Sequence, residues 1–137
     1  MKTKPNLLKR SLATIIDYGF FYLVIFTYIA YFGEPNNAGG YSIEGIPALV
    51  VPIVWFAYFV VIEAVNGATI GHQLFNLSVK TLDNQAISLM HSLKRHLLDP
   101  VEILMFGIPA LIAIKNSDNN QRIGDMWAKT VMIDLAD

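Results

Sequence analysis

The stretch KRSLATIIDYGFFYLVIFTYIAYF, residues 9–32, decides what kind of protein this is. From Leu12 to Phe32 about 21 residues run almost unbroken through Leu, Ala, Ile, Tyr, Phe and Val. As a helix rising 1.5 Å per residue they reach ~31 Å, enough to cross the ~30 Å hydrocarbon core of a bilayer. One charge interrupts them, Asp17, roughly a turn and a half inside the apolar run. An ionisable group at that depth is costly and calls for a partner, a cavity or water. Arg10 lies seven residues earlier, two helical turns below and on nearly the same face, so the two are expected to pair. Lys2, Lys4, Lys9 and Arg10 cluster just before the span, the positive bias of a cytoplasmic flank.

The totals agree with that reading. Of the 137 residues 54% are apolar and only 15% charged, against ~25% charged in a soluble domain. The mean hydropathy is +0.45. Such a length suits a single unit covering residues 1–137. A net charge of −1 argues against nucleic acid, whose phosphates require a basic face. With no cysteine there is neither a disulfide framework nor a thiolate nucleophile or ligand. The first apolar run is too long for a signal-peptide core and no small-residue cleavage site follows it, so it is expected to be a retained anchor.

Working outward, residues 33–45 carry Pro35, Asn36-Asn37, Gly39-Gly40 and two glutamates but no Lys or Arg, the pattern of an outer loop. Residues 46–65 form a second span, with Pro47 in its first turn and Pro52 further in, where a kink is expected. Its mid-span aromatics, Trp55, Phe56, Tyr58 and Phe59, suit lipid contact or helix packing. Glu63 falls near the inner end, level with Asp17 if the two helices run antiparallel.

The long inner segment follows. Residues 77–82 alternate with period two, Asp83-Asn84 offers a tight turn, and residues 85–88 can pair back as a small cytoplasmic β-hairpin. A lone hairpin is marginal in water, so the C-terminal run 130–135 is expected to join it as a third strand. Between them lies a third apolar segment, about 97–114, interrupted by Pro100, Gly107 and Pro109. It either crosses the membrane or re-enters and bends at 107–109. Re-entry is preferred, because Lys115, Arg122 and Lys129 and the last strand's need for a partner place the C-terminus inside. The expected fold is mainly α and polytopic, with two full transmembrane helices, a third short or re-entrant segment, and the small strand module.

Three acid–base constellations carry whatever chemistry there is: Arg10 with Asp17; Arg95, Asp99 and Glu102 at i, i+4 and i+7; and Arg122 with Asp125, Lys129 lying four residues beyond. Glu63 is a further carboxylate at the same level. If all meet at the inner interface they form one buried network, serving either structure and topology or a proton or cation pathway. The histidines receive little weight: His91 and His96 are five apart, wrong for shared ligation, and His72 sits in a loop. No nucleophile–base order, phosphate loop or dinucleotide motif is present, so no enzyme, metal or cofactor is expected.

These residues form a series that resembles the RDD family of small bacterial membrane proteins, named for an arginine and two aspartates. The series runs Arg10-x-x-Ala13-x-x-x-Asp17, then Gly67-x-Thr69-x-Gly71 leading to Leu77-x-Val79, then Arg122-x-Gly124-Asp125-x-x-Ala128-x-Thr130-Val131. His72 departs from it, since members often carry lysine after the second glycine. The resemblance implies a multi-pass protein of the bacterial cytoplasmic membrane, with transport, including sodium–proton exchange, suggested for some members. Two or three spans are few for a solute pathway, so transport implies a homo-oligomer or a membrane protein partner. The competing expectation is a non-catalytic scaffold or accessory subunit that docks a partner through its cytoplasmic module.

Overall fold

The computed structural model describes residues 3–103 and 106–136. Lys2 of the basic N-terminus, and Leu104 and Met105 in the third apolar segment, lie outside the described residues. Helix α1, Leu7–Phe32, is 26 residues long. Its buried side chains are Arg10, Ala13, Asp17, Phe21 and Ile25, a single stripe at spacings of three and four. Most of its remaining surface is apolar and open: Ile15 and Phe26 are each 67% exposed while Asp17 is 1% exposed. Apolar outside and charged inside is the reverse of a water-soluble helix, and it suits a hydrocarbon solvent.

After Gly33 come two-residue strands that the loop composition alone did not reveal. They are β1, Glu34–Pro35, and β2, Tyr41–Ser42, paired antiparallel. Asn36 closes the turn between them, its Oδ1 accepting from the amides of Ala38 and Gly40 at 3.0 Å each. Helix α2, Ile46–Asn66, returns alongside α1, and with it makes two helices long and apolar enough to cross a membrane. It is not uniform: a 3₁₀ turn containing Pro47 leads into α-helix, then a wide π-helical stretch Phe56–Val61, then α-helix again. Beyond Pro52 the backbone therefore winds more loosely, and the loosened stretch buries Tyr58, Phe59 and Val60. Tyr58 and Phe59 close a core with Phe21 and Ile25, and Tyr18 stacks on Phe59 at 4.5 Å between ring centres. Helix packing is thus the role of those two aromatics.

Gly67, at φ 74, ends α2. Helix α3, Ile70–Leu74, lies against α1. Strand β3, Leu77–Thr81, then pairs antiparallel with β4, Thr130–Asp134, in the register Leu77↔Asp134 to Thr81↔Thr130. Beneath them Ala13, Leu77, Val79, Ile87 and Met132 make a second apolar core.

The expected hairpin of residues 77–82 with 85–88 does not form. The turn exists, with the Thr81 amide donating to Gln85 O at 3.0 Å, but no strand follows it. One edge of β3 belongs to β4, and on the other the Val79 amide donates to Gly67 O at 2.7 Å. No edge remains for residues 85–88, which instead bury Ile87 and cap the next helix. That helix is α4, Leu89–Leu97, and its Ser88–His91 box joins the Ser88 amide to His91 Nδ1 at 3.1 Å.

Helix α5, Asp99–Ile103, and α6, Ile108–Asn116, make up the third apolar segment. The chain turns between them through Phe106 and Gly107, at φ 53 and 76, and Pro109 sits in the first turn of α6. Helix α7, Ile123–Ala128, leads through Lys129 into β4. Because β4 lies on β3, the chain between them must leave and return to one end of the molecule. The N-terminus is there too: Thr3 Oγ1 donates to Asn119 O at 2.7 Å, and Lys9 pairs with Asp134.

Candidate functional site

The polar stripes of these elements converge. Ser92, Arg95 and His96, at i, i+3 and i+4 of α4, form one buried face that packs on the π-helical part of α2 and on α7. Helix α7 can approach because it carries Gly124: a Cβ there would stand 2.4 Å from Arg95 O. Arg95 is completely buried and grips Glu63 with two nitrogens, Nε to Oε1 at 2.9 Å and Nη2 to Oε2 at 3.3 Å, while Nη1 meets Asp125.

Asp125 is the hub. It also receives Arg10 Nη2 at 2.8 Å, Arg122 Nε at 3.1 Å and the Arg122 amide at 3.1 Å. The last contact is local, because Asp125 is the third residue of α7 and reaches back to the amide at the helix start. Burial alone would raise the Asp125 pKa, but Arg95, Arg122 and Arg10 together hold it at about 2. Arg122 continues the lattice, with Nη1 2.8 Å from Asp99 and 3.5 Å from Glu102. Glu102 Oε1 accepts from the Gly124 amide at 2.9 Å. His96 joins the two halves: Nε2 lies 3.1 Å from Glu63 and Nδ1 2.6 Å from Asp99. An imidazole that faces a carboxylate at each nitrogen holds both protons and is a cation. Burial opposes that charge, but Glu63 and Asp99 outweigh it and raise the pKa to about 9.

Asp17 occupies a separate corner. Tyr58 Oη donates to its Oδ1 at 2.8 Å and the Gly71 amide at 2.7 Å, while Thr69 Oγ1 donates to Oδ2 at 2.6 Å. His72 Nδ1 lies 2.9 Å from the same Oδ2 and 2.8 Å from the Thr69 hydroxyl. Gly71 makes this possible, since a Cβ there would come within 2.4 Å of Ala13 O and 2.8 Å of the Asp17 carboxyl. Among the described residues no arginine or lysine meets Asp17. Burial depresses the His72 pKa, and the neighbouring Asp17 only partly restores it.

The structure thus brings Arg10, Glu63, Arg95, Asp99, Glu102, Arg122 and Asp125 into one network, with Asp17 beside it and different pairings from those expected. Arg10 does not pair with Asp17: seven residues of helix separate them by ~10 Å along the axis, and Arg10 turns instead to Asp125 and to Asn120 O at 2.7 Å. Arg95 does not pair along its own helix with Asp99 and Glu102. The helix is interrupted at Leu98, and those two carboxylates meet Arg122. Asp17 lies level with Tyr58, more than a turn of α2 away from Glu63. Lys129 takes a left-handed conformation just past α7 and is exposed, outside the network.

His72 and His96, given little weight from the sequence, and Thr69, Tyr18 and Tyr58, given no charge role there, all touch a buried carboxylate; His72 lies on helix α3 rather than in a loop, and Tyr18 Oη donates to Asp99 at 2.7 Å. A signal existed in the charge count. Asp17, Glu63, Asp99, Glu102 and Asp125 are five acids against the three arginines, 10, 95 and 122. In a buried cluster the shortfall points to histidine. Among the described residues no group of His, Asp and Glu is placed to hold a metal ion.

Comparison with curated proteins and with solved structures finds no match. The model of the RDD family matches residues 4–129, nearly the whole length. Arg10, Asp17 and Asp125, which lie within that match, are all buried at the centre just described, and the chain belongs to the RDD family.

Proposed function

We propose that this protein handles protons or sodium ions as an oligomer in the bacterial cytoplasmic membrane, with Asp17 and His72 as the exchanging pair and the arginine lattice as their rigid frame. One observation carries the reading: Asp17 sits in the middle of a long apolar helix, balanced by hydroxyls, an amide and an imidazole rather than by a fixed cation. With His96 charged and His72 neutral, the cluster has one more negative than positive charge. A proton on Asp17–His72 or a bound cation removes that excess. An ionisable group inside a membrane span is by default a functional site.

The membrane setting follows from the apolar outer faces of α1 and α2. The N-terminus and the strand module lie at one end of the molecule, and the basic residues there support a cytoplasmic position for that end. On this reading α5 and α6 re-enter from the cytoplasmic side. Two crossing helices enclose too little space for a path, hence the oligomer. No catalytic role is proposed.

The test is reconstitution in liposomes with an internal pH dye under a sodium gradient. Flux above that of empty vesicles, lost in Asp17→Asn, is the expected result; no flux at any protein density removes the proposal. One observation favours a second reading, an accessory subunit: Leu89, Met90, Met126 and Trp127 on α4 and α7 are exposed apolar side chains. A mild-detergent pull-down that recovers the protein alone would count against that alternative.

A further inference from the structure

A cleft of about 430 Å³ lies between α1 and the α5–α6 hairpin, within the ~300–1,000 Å³ range of small-molecule sites. Its walls are apolar, with Ile15, Tyr22, Leu111 and Ile114 among them, and one end is formed by Arg10 and Arg122. From Arg10 to Tyr22 it follows α1 for about 18 Å at 1.5 Å per residue. Ile15 and Tyr22 are 67% and 51% exposed, so the cleft opens sideways, toward the lipid of a bilayer. Arg122 lines its polar end, and the Nη2 of that guanidinium is covered by its neighbours and has no hydrogen-bond partner among the described residues, so a turn of the side chain would present it to the cleft. The carboxylates beside it are already engaged: Asp99 by Tyr18, His96 and Arg122, Glu102 by the Gly124 amide and Arg122. The site thus has a donor without an acceptor at one end and room for an apolar chain along the rest.

We propose that this cleft holds one acyl chain of a phospholipid, whose phosphate oxygen accepts from Arg122 Nη2. A guanidinium is well matched to phosphate, and a buried donor without an acceptor is the kind of group that a ligand satisfies. The bilayer supplies the chain and the head group together, in the right order along α1. The inference needs the membrane setting but not the transport reading, so the two stand or fall separately.

The test places the full-length protein in phosphatidylglycerol vesicles doped with phosphatidylglycerol bearing a photoactivatable acyl chain. Adducts are mapped by peptide mass spectrometry. Peptides from α1 and α6 are expected to carry at least fivefold more label than those around Ile53, on the open face of α2. Ala110→Phe, which fills the cleft from α6 without touching the ion pairs, is expected to bring labelling down to the Ile53 level. Equal labelling of both faces, unchanged by Ala110→Phe, means annular lipid only and overturns the proposal. Stronger labelling by a photoactivatable fatty acid than by the phospholipid overturns the phosphate assignment. Disulfide dimers of Ala110→Cys in the vesicles, with lipid adducts absent, assign the cleft to a second copy of the chain and also overturn it.

Discussion

The arginine lattice and the Asp17 corner sit side by side and solve the same problem in opposite ways. In the lattice, carboxylates are neutralised by guanidiniums that do not lose their protons, with forked contacts that fix geometry. In the corner, a carboxylate of similar burial relies on two hydroxyls, one amide and an imidazole. The first arrangement resists a change of charge; the second permits it.

Breaking the lattice should have the largest effect. Arg95→Met strips Glu63 and Asp125 of their shared cation and leaves both buried, a loss of about 3–5 kcal/mol for a broken buried pair. Size-exclusion profiles in detergent should show aggregated or absent protein; a monodisperse peak with unchanged melting would refute the lattice as the frame. Gly71→Ala should come next, at about 1–3 kcal/mol, because the added methyl group must displace Ala13 O or the Asp17 carboxyl. Flux should fall with stability in that variant, and a fully active, fully stable Gly71→Ala would contradict the close approach.

The histidines sharpen the comparison through pH. His96 has a raised pKa, so its stabilisation is complete below the unfolded value of ~6.5 and is lost as pH rises through about 9. His72 has a lowered pKa, so it destabilises the fold as pH drops below ~6.5. Melting curves should therefore decline on both sides, His96→Gln flattening the alkaline limb and His72→Gln the acid limb. If His96→Gln leaves the alkaline limb as steep as before, or His72→Gln the acid limb, the assignment of charge states is wrong. A smaller effect on stability belongs to Asp17→Asn, about 1 kcal/mol for altered hydrogen bonds, although its flux should vanish. Glu34→Gln, on the exposed β1 strand, should stay within ±0.5 kcal/mol and keep full flux. Equal flux from the two variants would erase the functional distinction between the corner and the surface.

Much of this was legible in the chain itself. The run of residues 12–32, the second run from 46 and the charges buried among them announce membrane helices, since hydropathy adds up locally and needs no knowledge of packing. The last strand's need for a partner also foretold that the chain returns to β3. The expected hairpin of residues 77–82 with 85–88 fails because strand propensity says nothing about whether an edge is free. The roles of His72 and His96 are not legible in spacing or in a loop assignment, because charge balance depends on which acids the fold gathers around them.

What the sequence alone determined, then, is the solvent of this protein, the number of its long helices, its family pattern and the set of charges that must be buried. Only the tertiary structure decided who neutralises whom. Arg10 and Asp125 are 115 residues apart, and Asp17 and Gly71 are 54 apart. Such pairs depend on where helices break and on two glycines that let backbones touch. An ion pair is a condition on distance, and the distances do not exist until the chain has packed.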